Sequence, residues 1–266
     1  MSKHRFYQVD AFTTQVFSGN PAGVCRLDDW LNDATLQNIA AENCLSETAF
    51  YVPRTNGFDL RWFTPEAEVD LCGHATLATA YVLYEHENFR GSRLLFHTRS
   101  GQLEVTRSQK DQYAMIFPSR EGQPYTPYAA LLNAIHPLKP VEILKARDIM
   151  VVLGNEQEVA QFKPDFNLIS QLNVLGLILT APGTHCDFVS RFFAPSVGIP
   201  EDPVTGSAHC TLTPYWSPKL GKLDLSARQL SARGGELFCQ YRGSHVIISG
   251  KAQLYLEGYI HLPGDA

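Results

Sequence analysis

One phrase of this sequence occurs twice. Arg61-Trp62-Phe63-Thr64-Pro65 is followed by Glu68-Val69-Asp70-Leu71-Cys72-Gly73-His74-Ala75. Half a chain later come Arg191-Phe192-Phe193-Ala194-Pro195 and Glu201-Asp202-Pro203-Val204-Thr205-Gly206-Ser207-Ala208. The step from Arg61 to Arg191 is nearly that from Gly73 to Gly206. A three-residue insertion in the connecting loop reconciles the two spacings. A repeat of this period is far longer than a solenoid unit. It predicts a duplicated domain, two similar halves facing each other. Polar residues at matched positions then become candidates for one shared site.

The bulk properties allow this. At 266 residues the chain is long enough for two domains of ~130. Hydrophobic content of 44% and charged content of 18% are those of a globular protein with a real core. The formal net charge is −5, with no basic run, so nucleic acid is not an expected partner. No apolar run approaches the ~20 residues needed to span a bilayer, and the N-terminal stretch lacks a signal-peptide core. Six scattered cysteines without a Cys-x-x-Cys pair read as reduced thiols, and the expected location is the cytoplasm.

Along the chain, Arg5 to Phe12 alternates as a strand, and Asn20-Pro21-Ala22-Gly23 reads as a turn. Residues 33–42 read as a helix with Asp33 as N-cap. Residues 46–52 and 58–63 read as strands. Gly73 opens a helix to Tyr84 that is apolar nearly all round, hence buried on most sides. The linkage between halves is placed near Ser119. The second half repeats the rhythm, with strands at 149–152, 175–180 and 187–193 and a second core helix opening at Gly206. Pro214 is expected in or just past the first turns of that helix, since an interior proline would break it. Strands outnumber helices. The expected fold class is α+β, two pseudo-symmetric halves, each a curved mainly antiparallel sheet wrapped around a central helix. The first half spans 1–118, joined by a last strand at about 255–266; the second spans 119–254; the active site lies in the cleft between them.

Both core helices begin at the repeated phrase. Their first-turn N–H groups and dipole ends favour an anion, most simply a substrate carboxylate. Gly73 and Gly206 would let backbone approach closely. The matched pairs are Cys72 with Thr205 and His74 with Ser207. Two facing thiols would make a two-base racemase, but a threonine hydroxyl is too weak a base to match a thiol. Cys72 reads either as a base or as a small buried hydrophobe. His185-Cys186 and His209-Cys210 lack a second ligand pair at zinc spacing, and no metal is expected.

Asn43-Cys44-Leu45-Ser46-Glu47-Thr48-Ala49-Phe50, Cys72-Gly73-His74-Ala75-Thr76 and the segment 201–208 resemble the signatures of the PhzF-like, phenazine-biosynthesis isomerase family. Segments 6–12, 19–22 and 228–235 resemble it too, so the similarity runs in order along nearly the whole chain. Residues 119–173 match least. The resemblance implies the diaminopimelate epimerase-like fold and a cofactor-free isomerase in which a glutamate shuttles a proton, helped by a histidine, an aspartate and a serine. Matched motif by motif, these are Glu47, His74, Asp202 and Ser207. Glu47 would act as general base and then acid, since partial burial raises a carboxyl's pKa toward neutrality. His74 and Asp202 would fix substrate polar groups and stabilise developing enolate charge. Ser207, with the backbone at Gly73, Ala75 and Gly206 and the neighbouring Cys72 and Thr205, would hold the substrate.

The expected function is a cofactor-independent isomerase acting on a small carboxylic acid, in a biosynthetic process. Two alternatives stand beside it: an amino-acid epimerase or racemase, and a non-catalytic small-acid binder of the same fold. The expected partner is a small-molecule carboxylate, with neither nucleic acid nor membrane, and the resemblance is compatible with a homodimer.

Overall fold

The computed structural model describes residues 2–108 and 111–263. The chain forms two compact units, Met1–Ile116 with Ser249–Ala266, and Phe117–Ile248. In chain order the first unit carries β1 (Ser2–Ala11), β2 (Asn20–Arg26), α1 (Asp33–Asn43), β3 (Glu47–Arg54), β4 (Gly57–Phe63), β5 (Glu68–Val69), α2 (Gly73–Glu85), β6 (Arg93–Thr98), β7 (Gly101–Arg107) and the start of β8 (Tyr113–Pro118). Then follow β9 (Gln123–Pro124), α3 (Ala129–Ala134), β10 (Glu142–Lys145), β11 (Ile149–Val152), α4 (Glu156–Gln161), α5 (Phe166–Ser170), β12 (Leu177–Pro182), β13 (Phe188–Ala194), β14 (Ile199–Asp202), α6 (Gly206–Leu220), β15 (Asp224–Gln229), β16 (Gly235–Tyr241) and β17 (His245–Gly250). The last strand, β18 (Ala252–Leu262), returns to pair antiparallel with β1 from Ala11↔Ala252 to Ser2↔Leu262. The expectation of a strand up to residue 266 reaches beyond this; 264–266 lie outside the described residues.

The sequence repeat is a repeat of topology. In the first unit β2 runs parallel to β3, β3 antiparallel to β4, β4 antiparallel to β5 and parallel to β6, and β6 antiparallel to β7. In the second, β11 runs parallel to β12, β12 antiparallel to β13, β13 antiparallel to β14 and parallel to β15, and β15 antiparallel to β16. The repeated arginine and glutamate close the same hairpin in each copy. Arg61 donates to Glu68 through Nε (2.7 Å) and Nη2 (2.8 Å). Arg191 donates to Glu201 through Nε (2.7 Å) and Nη2 (2.9 Å). Such bidentate pairs fix orientation as well as distance.

Each unit buries its sheet under helices. In the first, α1 covers a cluster that includes Phe6, Leu36, Phe50 and Phe63, while α2 packs on β1, β2 and β3. Helix α2 is buried from His74 through Ala80, as its all-round apolar sequence requires. In the second, a cluster including Ile149, Leu177, Val189 and Phe193 lies with Val159 of α4 and Ile169 of α5, and α6 packs on β15 and β16. Two core positions bind their helix's N-cap carbonyl. Thr76 Oγ1 donates to Cys72 O (2.6 Å), and His209, at the matching position, puts Nδ1 at 2.8 Å from Thr205 O.

Three local expectations are corrected. Asn20 to Gly23 is the start of strand β2, not a turn; the turn lies upstream, where Phe12, Phe17 and Gly19 have positive φ. Pro21 precedes the first β2–β3 pair at Ala22, so its missing N–H is tolerated. The cap of α1 is Asn32, which accepts from Thr35 N at 2.8 Å, and Asp33 is the first helical residue. Helix α6 runs straight through Pro214 and Pro218. The carbonyl that Pro214 cannot serve, that of Cys210, accepts instead from the backbone N–H of Arg120 at 2.9 Å.

Candidate active site

In the first unit, the end of a strand and the start of a helix bring three expected residues together. Glu47 opens β3, Cys72 caps α2 without a side-chain hydrogen bond to it, and His74 is its second residue. His74 Nε2 lies 3.0 Å from Glu47 Oε2. On the other edge of the ring, Nδ1 lies 3.5 Å from Cys72 Sγ and 3.3 Å from Asn20 Nδ2. All four residues are buried, Glu47 at 9% exposure and His74 at 6%. Burial works against a charge on His74. The Cys72 sulfur, the Glu47 carboxylate and hydrogen bonds to both reverse this and raise its pKa well above the ordinary histidine value. Burial and the Glu47 charge push the Cys72 thiol up, against the opposing pull of His74 and the Ala75 N–H. Cys72, His74 and Glu47 thus act on one another as a coupled buried set.

The Glu47–His74 contact is a close, buried ion pair. Glu47, Cys72 and His74 offer one donor atom each within 4.8 Å of one another, a set chemically able to hold a soft divalent ion. Both ring nitrogens of His74 are engaged with the other two residues, so such an ion would have to displace those contacts.

In the second unit the expected residues fall into two groups. Asp202 and Thr205 join directly, Thr205 Oγ1 donating to Asp202 Oδ2 at 2.6 Å. Ser207, the second residue of α6, is instead joined to Arg147, whose Nη2 donates to Ser207 Oγ at 3.0 Å. Gly73 and Gly206 are the first residues of their helices, where backbone N–H groups have no intrahelical partner. The Ala75 N–H, expected to serve substrate, faces the Cys72 sulfur.

Three residues here escaped sequence reasoning. Gln229, buried on β15, accepts from Thr205 N (2.8 Å) and donates to Asp202 O (2.7 Å) and Thr205 Oγ1 (3.1 Å), so it braces the loop carrying both. Asn20 and Arg147 touch the second residue of α2 and of α6. None sits in the repeated phrase; only strand register brings them there.

Comparison with known proteins gives the family and the fold. The sequence model of the PhzC-PhzF family, described as phenazine biosynthesis-like protein, matches residues 9–258. An uncharacterized isomerase of Pseudomonas aeruginosa is 52% identical over 256 residues, 96% of this chain and 98% of that protein. A solved PhzF-family structure from Enterococcus faecalis superposes with a TM-score of 0.95 at 45% identity, covering 98% of this chain and 100% of that one. A hydroxyproline epimerase from Agrobacterium vitis, with a TM-score of 0.63 at 8% identity over 97% of this chain and 92% of its own, shares the fold. The duplicated α+β architecture is thus diaminopimelate epimerase-like, and the chain belongs to the phenazine biosynthesis-like family as one of its isomerases.

Proposed function

We propose that the protein moves a proton between two positions of a small carboxylic acid, with Glu47 as general base and then general acid. The observation that carries this reading is the buried Glu47 carboxyl, whose Oε2 lies 3.0 Å from His74 Nε2. A base needs an uncommitted lone pair within reach of a carbon-bound proton, in a place where water does not compete. His74 Nε2 faces the carboxylate at 3.0 Å. It then supplies a donor for the oxyanion that develops when the proton leaves carbon. Asp202, held by Thr205 and through it by Gln229, orients a polar group of the substrate. Ser207 and the first N–H groups of α6 bind its carboxylate.

A second reading, an epimerase, is favoured by one contact. Cys72 Sγ lies 3.5 Å from the same imidazole, so a thiol proton has a path to it. Against it, the matched position carries Thr205, which cannot act as the opposing base.

The test is a panel of small cyclic acids and amino acids incubated in heavy water, with NMR detection of deuterium at carbon. Wild type is expected to exchange at least one of them without inverting an α-carbon. Glu47→Gln, folded as judged by circular dichroism, should lose at least about 100-fold in exchange rate. Full exchange by this variant ends the role given to Glu47. Inversion at Cα in wild type favours the epimerase.

A further inference from the structure

Strand register pairs Arg147 with Asn20 across the internal repeat. Ala22 stands opposite Glu47 in the β2–β3 ladder, and Ile149 stands opposite Leu177 in the β11–β12 ladder. Glu47 and Leu177 are separated by the same interval as Arg61 and Arg191. Ala22 and Ile149 therefore correspond, and so do Asn20 and Arg147, each two positions earlier. Their targets correspond as well. Asn20 reaches His74, and Arg147 reaches Ser207, which lies as far beyond His74 as Gly206 lies beyond Gly73. In both units the residue just ahead of the matched strand pair touches the second residue of the core helix. The contact is a feature of the duplicated fold. What differs is its chemistry.

In the first unit the positive charge sits on the helix, at His74, beside a neutral amide. In the second the helix carries a neutral hydroxyl, and the charge sits on the partner. Arg147 is held rigidly. Nε lies 3.3 and 3.1 Å from the two carboxylate oxygens of Asp148, and Nη2 lies 2.9 Å from Oδ2. Asp148 is itself 1% exposed. These bonds use one edge of the guanidinium. Nη1 has no hydrogen-bond partner among the described residues, and the side chain is 34% exposed. The bond from Nη2 also occupies a lone pair of Ser207 Oγ. The serine must then direct its own proton elsewhere, and no acceptor for it exists among the described residues. A cation with a free N–H edge thus stands beside a hydroxyl whose proton is free to donate. Burial holds the Cys210 thiol, one turn along α6, at about 11; Arg120 and Arg147 pull it down and Asp148 pushes it up.

We infer that Arg147 is the specificity-determining residue for a carboxylate-bearing substrate: its Nη1 edge and the Ser207 hydroxyl grip the carboxylate, and Asp148 positions the guanidinium. This rests on the reading of the protein as an isomerase of small acids and adds the residue that distinguishes an acid from its neutral analogue. Charge-assisted hydrogen bonds of this kind are strong enough to discriminate by about tenfold.

The test is a ligand-observed NMR titration of wild type, Arg147→Gln, Arg147→Lys and Asp148→Asn with benzoate and with benzamide, which is neutral and of the same shape. Wild type is expected to bind benzoate about tenfold more tightly than benzamide. Arg147→Gln should shrink that preference to about twofold or less, and Arg147→Lys, which keeps the charge but not the fork, should fall between. Asp148→Asn should weaken the preference while leaving benzamide binding unchanged, a split that general loss of structure would not produce. If Arg147→Gln does not fold, the Arg147→Lys ratio decides. A wild type that binds benzoate no better than benzamide overturns the inference, as does a folded variant at position 147 that keeps the full preference. The heavy-water experiment on Glu47→Gln reads a different quantity, so either idea can fail while the other stands.

Discussion

His209 and His74 sit on equivalent helices and have opposite electrostatics. His209 is wholly buried, with Nδ1 on the Thr205 carbonyl and Nε2 without a partner among the described residues. Burial lowers its pKa to about 4. Between pH 6.5 and 4 the unfolded chain binds a proton there that the folded chain refuses, so acidification costs stability over that window. The full amount is about 3 kcal/mol. His74, whose pKa is raised, acts the other way: its stabilisation is complete below pH 6.5 and is lost as pH rises through the folded value. Urea unfolding at about pH 7 and about pH 4.5 separates the two. Relative to wild type, His209→Gln should lose about 2 kcal/mol less on going to the lower pH. An unchanged pH dependence would mean that residue 209 is protonated in the folded state. Of the residues around these helices, Glu47, His74, Asp202 and Ser207 were legible because each lies within a motif. Asn20 and Gln229 lie in segments that resemble the family, but their contacts, like Arg147 itself, were not legible, because a contact made across strand register leaves no local pattern in a single sequence.

The repeated hairpin shows how one phrase acquires two energetic weights. Arg191 not only pairs with Glu201 but also donates through Nη1 to the carbonyls of Phe162 (2.6 Å) and Val159 (3.3 Å), closing the end of α4. Arg61 pairs with Glu68 and reaches Asp33, which is largely exposed. Removing Arg191 therefore strands a half-buried carboxylate and two carbonyls, whereas removing Arg61 leaves Glu68 still paired with Arg99, whose Nη1 lies 2.7 Å from Oε2. Arg191→Met should cost about 3 kcal/mol and Arg61→Met about 1–2 kcal/mol, read as shifts in denaturant midpoint at constant slope. Equal losses would argue that the carbonyl bonds contribute nothing. The same phrase was visible in the sequence, and so was its recurring arginine and glutamate; the carbonyl partners were not, since α4 is short and lies well upstream of β13. Pro214 teaches the converse. Local rules end a helix there, yet α6 continues because a backbone N–H from a distant segment takes the carbonyl that proline leaves free.

Across the whole molecule, the two units differ in how the chain closes them. The second is one continuous segment, 117–248, while the first requires the C-terminal strand. β18 flanks β1, whose Tyr7 and Val9 are fully buried. A chain stopped after Ile248 leaves β1 as an open edge and should fail to fold its first unit, while retaining the core around Ile149, Leu177 and Phe193. Two-dimensional amide NMR would then show dispersed signals for the second unit alone; a fully dispersed spectrum would mean that β18 is dispensable. The duplication, the helix starts and the acidic, histidine and serine candidates follow from residue order, because repeats, caps and motifs are properties of neighbours along a chain. Which nitrogen of His74 meets Glu47, that Ser207 accepts from Arg147, and that Arg147 stands where the other half has Asn20 were decided only when strands distant in sequence paired. Side-chain chemistry at these points depends on separations of about three ångströms, which no spacing along the chain specifies.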